Sequence, residues 1–264
     1  MHRRQFLGTA ALGAAIAKGQ TQPANRPIKA KRRRTMYFND ARHFHLYSFE
    51  PPMAMEDAWR PIDELAGTAV NTFIYGVETG GGLFSDTKVG NRFGADAQQT
   101  ESPHYWRAYY NMQSLIDQGM DPLRVLIDRA HQRDMEFITS LRMGGGPRPL
   151  RNRIGVPGLT GGGRGPQENC QDFARRQVRD VRFDWLKELA TYPVEGIELD
   201  FAFTPFYFKP DEIKANTPLM TDYVRRIANM VRSKCKDRIV GARVFPSLQM
   251  NVERGLDVAT WFAE

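Results

Sequence analysis

The stretch VEGIELDFAF, residues 194–203, decides the fold class because it has the composition of a buried strand with its acidic side chains on one face. Side chains alternate between the two faces of a strand. Glu198 and Asp200 therefore share one face, whereas Ile197 and Leu199 share the other. A segment with helical periodicity precedes this strand, so the stretch belongs to an alternating helix and strand pattern.

The same unit, a short apolar strand joined to a helix, recurs along most of the chain. Such alternation predicts an α/β fold with a parallel sheet. We expect five strands, at residues 43–47, 70–78, 135–143, 194–203 and 238–246. We expect helices at residues 55–65, 123–131, 178–190, 220–233 and 256–263. A Gly-rich, aromatic insertion should separate the second strand from the second helix.

The arrangement of these units favours a (β/α)8 TIM-type barrel over a doubly wound sheet. Long loops follow the strands, and polar residues gather at the carboxyl ends of the strands, where barrel enzymes place their active sites. A barrel needs eight units, but about five are present and the sequence stops in the fifth helix. We therefore expect an incomplete barrel domain over residues 41–264, to which a missing segment or a partner adds the remaining strands.

The first 34 residues differ in charge from the rest. They hold nine of the 37 Lys and Arg residues and no acid, which leaves 28 basic against 30 acidic residues in the remainder. This balance argues against a nucleic-acid partner. Residues 1–17 combine Arg3-Arg4 with an apolar run too short to span a bilayer, as is typical of a twin-arginine signal peptide. We expect export to the periplasm or exterior, a linker over residues 18–40 and no stable membrane span after signal cleavage.

Charged residues at the carboxyl ends of four predicted strands should converge on one rim. Because burying a charge without a partner is costly, the acids there should pair with arginines. A salt-bridge network without any chemistry is the alternative interpretation. The predicted rim residues are Glu78, Arg142, Glu198, Asp200 and Arg243.

Glu198 and Asp200 are the candidate catalytic pair. Repulsion between neighbouring carboxylates separates their pKa values, so that one can act as an acid while the other stays ionised. Glycoside hydrolysis requires such a pair. A divalent-metal site that adds His43 and His45 is the rival interpretation, although we favour packing of both histidines over ligation. We expect no cofactor and no resident metal.

Aromatic side chains near the strand ends are candidates for binding a carbohydrate substrate. Trp106 in the insertion and Tyr207 after the fourth strand could stack against sugar rings. Core packing is the alternative, especially for Phe201 and Phe203. The residues assigned to substrate binding are His43, His45, Tyr47, Glu78, Trp106, Arg142, Tyr207 and Arg243.

Four segments carry a family resemblance: RHFHLYSF at 42–49, TFIYGVE at 72–78, DPLRVLI at 121–127 and GIELDF at 196–201. Together they resemble an exported bacterial family of glycosyl hydrolase-like TIM barrels, similar to glycoside hydrolase family 10. The resemblance covers most of the chain from residue 42 onward and implies a barrel that acts on a polysaccharide. Ala202 occupies the position where the chitinase-like pattern D-x-x-D-x-D-x-E has its general acid.

Three functions follow from these observations. The first is a glycoside hydrolase-like protein that uses Glu198 and Asp200 for acid/base chemistry, with Arg142 and Arg243 orienting the substrate or the carboxylates. The second is a non-catalytic carbohydrate-binding barrel, which Ala202 favours. The third is a divalent-metal sugar isomerase or lyase.

Overall fold

A parallel five-stranded sheet forms the centre of the computed structural model. The structure describes residues 33–41, 48–95, 103–144, 171–203 and 206–263. Within these ranges the strands are β1 (Met36–Asp40), β2 (Thr72–Gly76), β3 (Glu78–Thr79), β4 (Gly82–Leu83), β5 (Asn91–Arg92), β6 (Glu136–Arg142), β7 (Gly196–Asp200) and β8 (Ile239–Arg243). The order of the strands in the five-stranded sheet is β1-β2-β6-β7-β8.

At least one helix lies between each pair of neighbouring strands in this sheet, as parallel pairing requires. The described helices are α1 (Met55–Asp63), α2 (Pro103–Asp117), α3 (Pro122–Gln132), α4 (Arg176–Leu189), α5 (Ile213–Lys234), α6 (Leu248–Val252) and α7 (Val258–Ala263). A short 3-10 helix, Pro210–Glu212, precedes α5. The predicted α/β fold is confirmed, and the described strands form an open sheet rather than a closed barrel.

One face of the sheet, called the outer face below, packs against the helices and forms the core. The opposite face, which carries Glu198 and Asp200, is called the inner face. Phe73 and Tyr75 of β2 and Phe137 of β6 are fully buried on the outer face, with ring centroids 5.6–6.1 Å apart. Ile197 and Leu199 of β7 join the same core. Burial of these apolar side chains fixes the register, since a shift by one residue would turn Glu198 and Asp200 towards the helices.

The described part of the chain contains a strand before β2 that the sequence does not predict. The expected strand at residues 43–47 lies outside the described ranges, whereas residues 36–40, expected in the linker, form β1 and pair with β2 from Met36–Thr72 to Asp40–Gly76. As an edge strand, β1 leaves Met36 and Tyr37 largely exposed. Its sequence therefore lacks the buried apolar run by which the other strands are recognised.

The insertion after β2 is more regular than its composition indicates. It contains a second, three-stranded sheet of β3, β4 and β5, followed by the 15-residue helix α2. The turn between β3 and β4 needs positive φ angles, which Gly80 and Gly81 supply. Helix α2 buries Ala108 and Met112 against the core.

No helix in the described part of the chain is both long and apolar enough to cross a membrane. The predicted signal peptide over residues 1–17 lies outside the described ranges, so export stays a prediction.

Candidate functional site

Most of the predicted rim residues lie side by side at the carboxyl ends of neighbouring strands. Arg142, Asp200 and Arg243 are direct partners across β6, β7 and β8. One step towards the strand starts, Ser140 is the register partner of Glu198. Residues paired in this way present their side chains on the same face of a sheet, so the inner face carries the acids and the arginines together.

Glu198 is held through one of its two carboxylate oxygens. Ser140 Oγ and Arg243 Nη2 each donate a hydrogen bond of 2.8 Å to Glu198 Oε1. The Arg243 guanidinium also lies over the ring of Phe38, 3.9 Å from its centroid. No donor of the described residues reaches Glu198 Oε2, which leaves that oxygen available on the inner face.

Asp200 is also held through one oxygen, but by backbone groups. Its Oδ1 accepts hydrogen bonds from Ala202 N at 2.9 Å and from Phe203 N at 3.2 Å. The residue is only 3% exposed, and within the described ranges no basic side chain forms an ion pair with it. Of the two candidate catalytic carboxylates, Glu198 is therefore ion-paired and Asp200 is not.

Arg142 is fixed by three contacts. Its Nη2 donates to Asp40 Oδ2 at 2.9 Å, and its Nη1 donates to Thr79 Oγ1 at 2.9 Å. The guanidinium carbon lies 3.8 Å from the centroid of the Phe203 ring. Because its guanidinium already binds Asp40 and Thr79, Arg142 connects β6 to β1 and β3 and does not present an unpaired charge to a ligand.

Glu78 lies at the rim but pairs with no arginine in the part of the chain that the structure describes. Its Oε1 accepts a 2.6 Å hydrogen bond from Gly81 N, within the turn between β3 and β4. Its Oε2 is buried and has no hydrogen-bond partner among the described residues, and the residue is 1% exposed. Arg142 instead contacts the adjacent Thr79. Glu78 is thus enclosed by its own turn and does not face an open surface.

The two predicted aromatic residues have opposite environments. Tyr207 is 1% exposed, its hydroxyl donates to Phe201 O at 2.6 Å, and its ring packs edge-on against Phe173. It belongs to the core and has no free face for a sugar, which corrects its assignment to substrate binding. Trp106, on α2, is 44% exposed and packs against Tyr110 with ring centroids 4.8 Å apart.

Three predicted substrate-binding residues, His43, His45 and Tyr47, lie outside the described ranges. The described residues contain no group of three His, Cys, Asp or Glu side chains that could hold a metal ion. The metal site proposed from the sequence depends on the two histidines, so it stays a prediction.

Three residues that the sequence did not predict as site residues bind the charged groups of the rim: Asp40, Thr79 and Ser140. Asp40 ends a strand in which polar and apolar residues mix, and the sequence assigns it to the last position of the predicted linker, which hid its role. Ser140 stands on the same face as Arg142 of the predicted third strand. A hydroxyl two residues before a charged rim residue is the signal by which Ser140 could have been found.

Comparisons with known proteins support the fold. No protein-family model matches the sequence, and no curated protein sequence matches it. An alpha-L-fucosidase isoenzyme 2 from Paenibacillus thiaminolyticus is structurally similar, with a TM-score of 0.53 and 11% identity over 81% of this chain and 33% of the fucosidase. An Anoxybacillus alpha-amylase, with a TM-score of 0.48, is 13% identical over 85% of this chain and 51% of the amylase.

The chain thus spans about a third of the fucosidase and about half of the amylase. A beta-hexosaminidase from Streptomyces plicatus has a TM-score of 0.46 and 14% identity over 78% of this chain and 38% of that enzyme. The likeness to the fucosidase shows that the strand and helix units have the arrangement found in part of a TIM-barrel glycoside hydrolase.

Proposed function

We propose that this chain is glycoside hydrolase-like and acts on an oligosaccharide or polysaccharide through Glu198 and Asp200. The observation that carries the proposal is that both carboxylates lie on one sheet face, each held through one oxygen. Glu198 pairs with Arg243, whereas Asp200 pairs with no arginine among the described residues. The leader predicted at residues 1–17 agrees with a substrate outside the cytoplasm. The narrower resemblance to family 10 stays a prediction.

The two environments suggest different roles for the carboxyl groups. Arg243 pairs with Glu198 Oε1, so Glu198 Oε2 is the oxygen that can face the positive charge that develops on the sugar ring. Asp200 has no cationic partner among the described residues, and we assign it the role of general acid. The residues are two positions apart on one strand, which places their Cα atoms about 6.6 Å apart.

The proposed reaction is a hydrolysis in which Asp200 transfers its proton to the glycosidic oxygen as the bond from that oxygen to the anomeric carbon breaks. Water then attacks the anomeric carbon, and its proton returns to Asp200. Arg243 holds Glu198 and Arg142 holds the neighbouring strand end. Neither guanidinium has to bind the substrate directly.

Release of reducing sugar from a panel of polysaccharides tests this proposal. We expect Asp200→Asn to lower kcat by about 10²-fold or more, the usual contribution of a general acid. Glu198→Gln should also lower kcat, because it removes the negative charge next to the sugar. Asp211→Asn alters an exposed carboxylate of the 3-10 helix and should retain wild-type activity.

Equal activity of the wild type and Asp200→Asn would refute the role of Asp200. Carbohydrate binding without turnover by the wild type would favour a non-catalytic binding barrel. Loss of activity on chelation would favour the divalent-metal alternative, whereas activity that is indifferent to a chelator would dismiss it.

A further inference from the structure

Phe203 is more exposed than the other described aromatic residues that directly follow β7, of which Phe206 is half-buried. Phe201, Tyr207 and Phe208 are at most 2% exposed and belong to the core, whereas Phe203 is 48% exposed. It stands three residues after Asp200, at the edge of the sheet where the charged side chains meet. Leaving so much of an aromatic ring in water forgoes the stabilisation that burial would give.

The exposed ring is nevertheless held in place on one side. The Arg142 guanidinium lies 3.8 Å from the ring centroid, a distance typical of a close cation–π contact. Arg142 is itself fixed by hydrogen bonds to Asp40 and Thr79. Arg142 therefore covers one face of the Phe203 ring and restrains the ring, while 48% of the residue stays exposed to solvent.

The backbone of Phe203 is tied directly to the candidate catalytic carboxyl. Its N–H donates a 3.2 Å hydrogen bond to Asp200 Oδ1. The ring and the carboxyl are therefore positioned by one short segment, so a ligand that stacks on the ring lies next to Asp200. A rigid aromatic face loses little conformational entropy on binding.

We propose that Phe203 is the stacking platform of a sugar-binding subsite beside Asp200, with a pyranose unit as its ligand. The C–H groups of a sugar ring match the apolar, electron-rich face of an aromatic ring. The ring contributes no charge, so it determines the position of the sugar and not the chemistry. This inference rests on the proposed function, because it takes the ligand to be a carbohydrate.

Affinity for a polysaccharide, measured by electrophoresis in gels that contain it, tests the platform without requiring turnover. All measurements are made in the Asp200→Asn background, over the same panel used for activity. We expect Phe203→Ala to weaken binding about tenfold, equivalent to about 1.4 kcal/mol. Phe203→Trp should bind within about twofold of the parent, because it keeps a flat aromatic face.

Phe262→Ala is the matched control, since it removes an even more exposed phenylalanine, 82% accessible, from α7. It should leave binding unchanged. Arg142→Lys keeps the positive charge but removes the planar support of the ring, and we expect an intermediate loss of affinity. The urea unfolding midpoints of Phe203→Ala and Phe262→Ala should stay close to that of the parent, because both side chains are exposed.

Binding by Phe203→Ala equal to that of the parent would overturn the platform, and so would the absence of binding to every polysaccharide in the panel. A loss of affinity in Phe203→Ala together with no hydrolysis by the wild type would support the platform and reject the proposed catalysis. Hydrolysis by the wild type with no effect of Phe203→Ala would do the reverse. The two proposals can therefore fail separately.

Discussion

At the scale of a single residue, the hydroxyl of Ser140 helps to hold the Glu198 carboxylate in its orientation. Ser140 is 1% exposed, and its hydroxyl donates to the same oxygen, Oε1, that Arg243 binds. Removing this hydroxyl should let the carboxylate rotate about its remaining contact. On the proposed function, we expect Ser140→Ala to lower kcat about tenfold with KM nearly unchanged, which steady-state kinetics on the responsive polysaccharide would measure.

Ser233→Ala is a suitable control for this prediction. Ser233 lies on the exposed surface of α5, where its hydroxyl donates to Met230 O in its own helix. Its loss should leave kcat and KM unchanged. A rise in KM for Ser140→Ala without a fall in kcat would show that Ser140 contributes to ground-state binding and does not position Glu198 for the reaction.

At the scale of the element, the approach of β7 to β8 depends on Gly196. A Cβ atom on Gly196 would lie 2.8 Å from Ile239 Cβ and 2.9 Å from Ile239 O, closer than van der Waals contact allows. We expect Gly196→Ala to lower the free energy of unfolding by about 1–3 kcal/mol, the usual cost of overpacking, as measured by urea denaturation.

Gly241 is the matched site on the neighbouring strand. A Cβ atom there would approach no other atom closer than 4.0 Å, the distance to Glu198 Cα and Cβ. Gly241→Ala should therefore change the free energy of unfolding far less than Gly196→Ala does. Equal effects of the two substitutions would show that strand propensity, and not the clash with Ile239, determines the cost.

Local sequence rules predicted some elements well and missed others. Asp121 and Pro122, directly before the predicted helix at residues 123–131, are residue types typical of a helix start, and Asp121 Oδ1 accepts a 2.9 Å hydrogen bond from Leu123 N as the N-cap of α3. Capping depends on residues close in sequence, which is why it could be predicted. Helix α2 was missed because aromatic residues have only modest helix propensity, and its buried face, with Ala108 and Met112, packs on distant parts of the chain.

At the scale of the whole molecule, buried tyrosines limit stability at high pH. Burial raises the pKa of Tyr75, with a further rise from the charges of Asp40 and Asp121. Burial also raises the pKa of Tyr223, against the opposing effect of nearby arginines. Unfolding exposes both phenols to water, where a tyrosine titrates near its ordinary pKa of about 10.

The sign of the pH dependence follows from the raised pKa values. Below pH 10 both phenols are protonated in the folded and unfolded states, so their contribution to stability is complete. Above about pH 10 only the unfolded state loses these protons, and the free energy of unfolding should fall by about 1.4 kcal/mol per pH unit for each tyrosine. Urea denaturation at several alkaline pH values would measure the slope.

Tyr75→Phe should reduce that alkaline slope, because it removes one of the protons released on unfolding. Replacement of Tyr110, which is 44% exposed, provides the control. If the slope in Tyr75→Phe equals that of the wild type, then Tyr75 does not contribute to the alkaline loss of stability.

The sequence by itself determined the α/β class, four of the five main strands and the shared face of Glu198 and Asp200, because these depend on periodicity over a few residues. Only the tertiary structure decided which charges pair. Asp40 and Arg142 are 102 residues apart in sequence, and their contact depends on the register of β1, β2 and β6. Likewise, only the tertiary structure decided that the ring of Tyr207 is buried and that of Phe203 is exposed, since burial depends on neighbours that are distant along the chain.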